Sequence, residues 1–202
     1  MTNRINNKNE LKIILIGNPS VGKTCIIHYY ETGKFLDDIP ITQGASFIKV
    51  AKECENKKYS LYFWDTLGNE KYRSLTGKFV KNSKIVILVY SIIDRKSFED
   101  LDYWLDIVKE NNGDDGYVLG VAANKNDLYQ NATVSDEEGQ EYAKKINAIF
   151  TKTSVKDAIG INELIDGLLK QYINTYKEDI EPDFTKLENN KDNNNHKKKK
   201  CC

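Results

Sequence analysis

Eight residues near the start, GNPSVGKT at Gly17–Thr24, constrain this chain more than any other stretch. They fit G-x-x-x-x-G-K-[ST], and they sit between two recognisable elements. LKIILI before them is an unbroken apolar run that reads as a buried strand. VGKTCIIHYYETG after the opening of the loop reads as a helix ending near Gly33. A loop in that setting gathers backbone N–H groups around phosphate oxygens. Gly17 and Gly22 admit close backbone approach because they lack a Cβ, and the helix N-terminus adds its dipole. Lys23 is placed to reach the β- and γ-phosphates of a nucleotide, and the Thr24 hydroxyl to ligate Mg²⁺. Pro19 has no N–H and offers no phosphate contact. It either stiffens the loop or is simply tolerated there.

The rest of the chain alternates between strand and helix patterns. SFIKVAKEC and YSLYFWD read as an antiparallel hairpin around Glu55–Lys58, and KIVILVY (84–90) as a second buried strand. KSFEDLDYWLDIVKENN places Phe98, Leu101, Trp104, Leu105 and Val108 on one face of a single helix. YVLGVAA (117–123) is a strand, and Ser135 caps a helix whose first turn is acidic. AIFTKTS (148–154) is a short strand, and INELIDGLLKQYI a final amphipathic helix. Six strands alternating with helices predict an α/β fold, a mostly parallel sheet with helices on both faces.

Composition bounds the rest. Thirty basic and thirty acidic residues among 202 leave no net charge, against a surface built for nucleic acid. The first ten residues hold no apolar run, so no secretory signal is expected. No apolar stretch approaches the ~18–20 residues a membrane span needs. Thr2 excludes N-myristoylation. Residues 1–10 are expected to be a flexible N-terminus, 11–176 the folded domain, and 177–202 a disordered tail rich in Asn and Lys. Cys25 and Cys54 are expected to be reduced thiols. The chain ends in KKKKCC, which needs an explanation of its own.

Two further motifs point to the base. NKND (Asn124–Asp127) follows a strand, and a carboxylate at Asp127 accepts from both guanine N1–H and its exocyclic amine. Adenine offers neither donor, and a site built on such bonds discriminates by ~10⁴–10⁵. TSVK (Thr153–Lys156) ends the next strand, where backbone N–H groups are placed to meet guanine O6.

Taken in order, GNPSVGKT, ITQGASF, WDTLGNEKYRSLT, NKND and TSVK resemble the small GTPases of the Ras superfamily, and among them the Rab family. The resemblance runs over about residues 11–176 and the last two residues. YSIID (90–94) and SFEDLDYWL are also Rab-like, whereas FVKNS (79–83) departs from the family pattern and ITQGASF is a divergent switch I. Twenty-five residues between Asp127 and Thr153 are too few for the extra helix of Rho-type relatives. The resemblance implies the P-loop NTPase fold, bound GTP or GDP, and Mg²⁺. It implies nucleotide contacts from Gly17, Ser20, Val21, Gly22, Lys23, Thr24 and Cys25, then from Phe35, Thr42 and Gly68. Asn124, Lys125, Asp127, Ser154, Val155 and Lys156 would surround the base. Mg²⁺ would be held by Thr24, Thr42 and, through water, Asp65.

Catalysis would rest on Lys23, Thr42, Gly68 and Asn69. In Ras a glutamine orients the attacking water. Here that position is Asn69, one methylene shorter, and its neighbour is Leu67, where alanine is common. Slow intrinsic hydrolysis is therefore predicted. The alternative is a module that holds GTP with negligible turnover and acts as a scaffold. An ATP-using phosphotransferase is disfavoured by NKND. The resemblance further implies geranylgeranyl groups on Cys201 and Cys202, with Lys197–Lys200 adding attraction to anionic lipid. A monomer is implied, on the cytoplasmic face of an intracellular membrane and cycling with the cytosol. Its partners would be an exchange factor, a GTPase-activating protein, Rab escort protein, GDP-dissociation inhibitor and effectors at switches I and II.

Overall fold

The computed structural model describes residues 9–36, 46–65, 73–113 and 116–176. Six strands form one sheet: β1 (Glu10–Ile16), β2 (Ser46–Cys54), β3 (Lys57–Asp65), β4 (Ile85–Ser91), β5 (Val118–Asn124) and β6 (Ile149–Lys152). The helices are α1 (Lys23–Thr32), α2 (Arg73–Val80), α3 (Arg95–Glu99), α4 (Leu101–Asn112), α5 (Asp136–Lys145) and α6 (Ile161–Thr175), with a 3₁₀ turn at Asn126–Asn131. Strand order is β2-β3-β1-β4-β5-β6. All pairings are parallel except the β2–β3 hairpin. From β1 the chain moves first to one side of the sheet and then to the other. The carboxyl end of β1 is therefore the switch point, where a crevice opens in sheets of this kind.

Both faces of the sheet are covered. Ile13 and Leu15 of β1 pack with α1 and α6 on one side, and Ile14 and Ile16 with α4 and α5 on the other. This is why β4 is buried at every residue and carries no polar alternation. Helix α6 buries Ile161, Leu164, Ile165, Leu168, Leu169, Tyr172 and Ile173, the stripe a 3.6-residue repeat lays against a sheet. Each fully buried aliphatic side chain of that stripe contributes about 1.5–3 kcal/mol. Ser135 caps α5 as expected: its Oγ accepts from Glu138 N–H at 3.2 Å while Glu138 accepts from Ser135 N–H at 3.0 Å.

Three elements differ from the sequence pattern. The single helix expected over 96–112 breaks at Asp100, whose backbone (φ −80°, ψ 0°) leaves the helical region between α3 and α4. Asp94 starts α3 by accepting from Ser97 N–H at 3.3 Å, and the Asp100 carboxylate is engaged by other side chains. The last strand is shorter than AIFTKTS: Ala148 N–H bonds back to Ala143 O, and past Thr153, whose N–H still meets Ala123 O, Ser154 bridges to Ile159 instead. The hairpin turn is two residues, Glu55 and Asn56, both in the left-handed region. Helix α2 and the 3₁₀ turn had no clear sequence signal.

Candidate functional site

The phosphate loop leaves β1 and enters α1 under tight confinement. At Gly17 (φ +152°) a Cβ would stand 2.1 Å from the Val89 carbonyl oxygen, and at Gly22 (φ +99°) 2.3 Å from Asn124 Nδ2. Both glycines are therefore required by close approach as well as by conformation. Ser20 also takes a positive φ, and Val21 is fully buried beneath the loop. Lys23 lies across the loop, 6% exposed, and donates to Gly17 O at 2.8 Å and Asn18 O at 2.7 Å. Burial pushes its ammonium down to about 8, with Asp65 pulling the other way. A desolvated cation ringed by loop backbone is a seat for an anion.

Beside it, Thr24 Oγ1 donates to Asp65 Oδ2 at 2.8 Å. This brings a hydroxyl from the start of α1 to a buried carboxylate at the end of β3. Oxygen donors of this kind suit a hard divalent cation. Among the described residues no three His, Cys, Asp or Glu side chains converge. A cation here would take Thr24 and Asp65 from the described chain and complete its shell with phosphate oxygens and water, as Mg²⁺ tends to do.

Asn124 ends β5 and joins the two halves of the site. It is 1% exposed, donates from Nδ2 to Val21 O at 2.7 Å and accepts from Thr153 Oγ1 at 3.1 Å. One amide thus ties the phosphate loop to the 153–156 loop. Asp127 lies in the first turn of the 3₁₀ segment and accepts from Ser154 Oγ at 2.8 Å, while Ser154 Oγ accepts from Asp157 N–H at 3.0 Å. Lys125, at φ +63°, is half-buried between them, and Lys156 is exposed. Within TSVK, the Thr153 and Ser154 N–H groups bond to Ala123 O and Ile159 O. The loop donors expected to meet a base oxygen therefore narrow to those of Val155 and Lys156. Cys25 is half-buried, and burial raises its thiol pKa while Lys125 opposes. Phe35 is 39% exposed at the end of its described segment. Thr42, Leu67, Gly68, Asn69, Lys197–Lys200, Cys201 and Cys202 lie outside the described residues.

Two features were missed in the sequence. Asn18 Nδ2 donates to Asp100 Oδ2 at 2.8 Å, and Asn18 Oδ1 accepts from Trp104 Nε1 at 2.6 Å. No spacing rule links positions so far apart. The second is an aromatic row on the β2–β3 hairpin. Phe47, 57% exposed, stacks on Trp64 (5.5 Å between centroids), and Trp64 meets Phe79 of α2 at 5.7 Å. Lys12 Nζ lies 4.6 Å over Trp64 and Lys49 Nζ 5.2 Å over Tyr62. Phe47 and Trp64 are register partners, a pairing visible only once the hairpin is aligned. Among the described residues no helix is long and apolar enough to cross a membrane.

The geometry agrees with the comparisons. The profile of the Ras family matches residues 12–174. The chain is 36% identical over 162 residues to Ras-related protein Rab-31 of Homo sapiens, covering 80% of this chain and 83% of the relative. Against Ras-related protein Rab-22A of Homo sapiens it is 36% identical over 155 residues, covering 77% and 79%.

Proposed function

This chain belongs to the Ras family as a divergent Rab-type small GTPase, and from that premise we propose that it is a membrane-attached switch set by GTP and GDP. The observation that carries the proposal is the Asn124 tie. A loop suited to phosphates and a loop suited to guanine are bound to one buried amide, which holds the two side by side at the same end of the sheet. Lys23 meets the β- and γ-phosphates, and binding restores the proton that burial makes easier to lose. Asp127, oriented by Ser154, accepts from guanine N1–H and the exocyclic amine. Thr24, Thr42 and Asp65 would hold Mg²⁺, which when bound neutralises charge on the phosphate oxygens.

The turnover step is in-line attack of water on the γ-phosphorus, with GDP leaving and inorganic phosphate released. Lys23 and the loop N–H groups stabilise charge on the oxygens, and Asn69 positions the water. Thr42 and Gly68 contact the γ-phosphate, so its loss releases both switches. Intrinsic turnover is slow, because the Asn69 carboxamide falls ~1.5 Å short and ~1 Å misplacement costs ~10²-fold. The aromatic row of Phe47, Trp64 and Phe79 stands on β2, β3 and α2, the elements that flank both switch segments in sequence, and forms part of the effector face. Prenylated Cys201 and Cys202, with Lys197–Lys200, attach the chain to the cytoplasmic face of a membrane. There it regulates vesicle traffic under an exchange factor, an activating protein, escort protein and GDP-dissociation inhibitor. Asn69 also favours the second reading, a GTP-holding scaffold with negligible turnover.

The test is the nucleotide content of the purified full chain, followed by single-turnover hydrolysis with and without an activating protein. Bound GDP or GTP with competition by GDP but not ADP supports the switch. Turnover that no activator stimulates favours the scaffold. Absence of any guanine nucleotide affinity overturns both.

A further inference from the structure

Asn18 holds the phosphate loop at a position whose identity the motif leaves open. Its two amide atoms are not interchangeable. Nδ2 faces a carboxylate, Asp100 Oδ2 at 2.8 Å, and Oδ1 faces an indole N–H, Trp104 Nε1 at 2.6 Å. Of the side chains that fit this space, an amide satisfies both a donor and an acceptor at once. Trp104 is 1% exposed, and Asn18 Oδ1 covers its indole N–H. Asp100 sits at the break between α3 and α4, and its other oxygen takes Lys96 at 2.6 Å. The main chain of Asn18 is engaged too, because its carbonyl accepts from Lys23 Nζ at 2.7 Å.

One residue therefore links the start of α4, through its side chain, to the ammonium meant for the phosphates, through its carbonyl. Its neighbours leave it little freedom. Pro19 disfavours the α region for the residue before it, and Gly17 runs so near Val89 O that a Cβ there would clash.

We propose that Asn18 is a positioning residue that clamps the phosphate loop to the start of α4, and that this clamp slows the release of bound nucleotide. The proposal rests on the nucleotide reading above. Without the clamp, the Asn18 carbonyl is free to move and Lys23 loses one of its two fixed acceptors.

The test measures release of fluorescently labelled GDP from the full chain with Mg²⁺ present, alongside thermal melting at saturating GDP. Asn18→Ala is expected to speed release about five- to tenfold. Asn18→Asp sets two carboxylates face to face and is expected to speed it about tenfold or more. Asn18→Asp combined with Asp100→Asn reverses the donor and acceptor, keeps the Trp104 bond, and is expected to return release to within about threefold of wild type. A merely structural role would lower the melting temperature of the single variants in step with their release rates, whereas the clamp changes release with melting at saturating GDP little moved. Release unchanged in Asn18→Ala, or a double variant no slower than Asn18→Asp, overturns the clamp while GDP binding by wild type upholds the nucleotide reading. A wild-type chain that holds no GDP overturns that reading and the clamp with it.

Discussion

The Thr24 hydroxyl and the Asp65 carboxylate, forty-one residues apart in sequence, are 2.8 Å from one another at the carboxyl end of the sheet. Neither has a partner of that kind until β3 is laid parallel to β1. Their meeting places a hydroxyl and a buried carboxylate beside Lys23, where a divalent cation would join nucleotide to protein. Asp65→Ala is expected to raise GDP release about tenfold or more in Mg²⁺. It should also flatten the acceleration that chelation of Mg²⁺ produces in wild type. Release rates with and without EDTA check this.

Base selectivity is expected to follow Asp127 and its support. Asp127→Asn loses an acceptor for guanine and should cut GDP affinity by ~10² or more while narrowing the preference over ADP. Ser154→Ala removes the 2.8 Å bond that orients Asp127. It should weaken GDP binding by a smaller factor, about five- to tenfold. Competition between GDP and ADP for the purified chain separates the two effects.

Lys23 gives binding a pH dependence with a definite sign. Its ammonium is lowered to about 8 by burial in the protein alone, and phosphate oxygens favour the protonated form. Above about pH 8 the free protein has lost a proton that the complex keeps, so affinity falls as pH rises and binding takes up a proton. Calorimetry at pH 8.5 in buffers of different ionisation enthalpy is expected to show that uptake, and Lys23→Gln to abolish it. In the protein alone the same shift makes folding more favourable as pH rises from about 8 toward 10.5.

Turnover is expected to rise in Asn69→Gln, by up to ~10²-fold in single-turnover hydrolysis. GDP affinity should stay within about twofold, since the added methylene serves the water rather than the bound product. A wild-type rate equal to that of glutamine-bearing relatives would remove the basis for the slow-turnover reading.

Membrane attachment is expected to depend on the terminal thiols. Cys201→Ser with Cys202→Ser should move the chain to the soluble fraction of cells, and either single change should weaken attachment without abolishing it, since one lipid chain beside the Lys197–Lys200 patch still binds. Fractionation of cells expressing each variant measures it.

Much of the fold was written in local patterns. The apolar runs of β1 and β4 were legible because both faces of those strands are buried. The α6 stripe and the Ser135 cap were legible because periodicity and capping act within a few residues. The break at Asp100 was hidden, since one of the side chains that engages its carboxylate there is Asn18, far away in sequence. The shortened β6 was hidden as well. Thr153 and Ser154 have strand-like neighbours, but their hydroxyls bond to Asn124 and Asp127 across the site.

The sequence alone determined which chemistry the chain carries. A glycine-spaced loop with Lys23 and Thr24, and a carboxylate at Asp127, have those capacities wherever the backbone takes them. Only the tertiary structure decided how these capacities combine. Hydrogen bonds act over about 3 Å, and spacing along a chain says nothing about distance between loops. The order of the sheet brings Asn124 beneath Val21, Asp65 to Thr24, and Trp104 to Asn18.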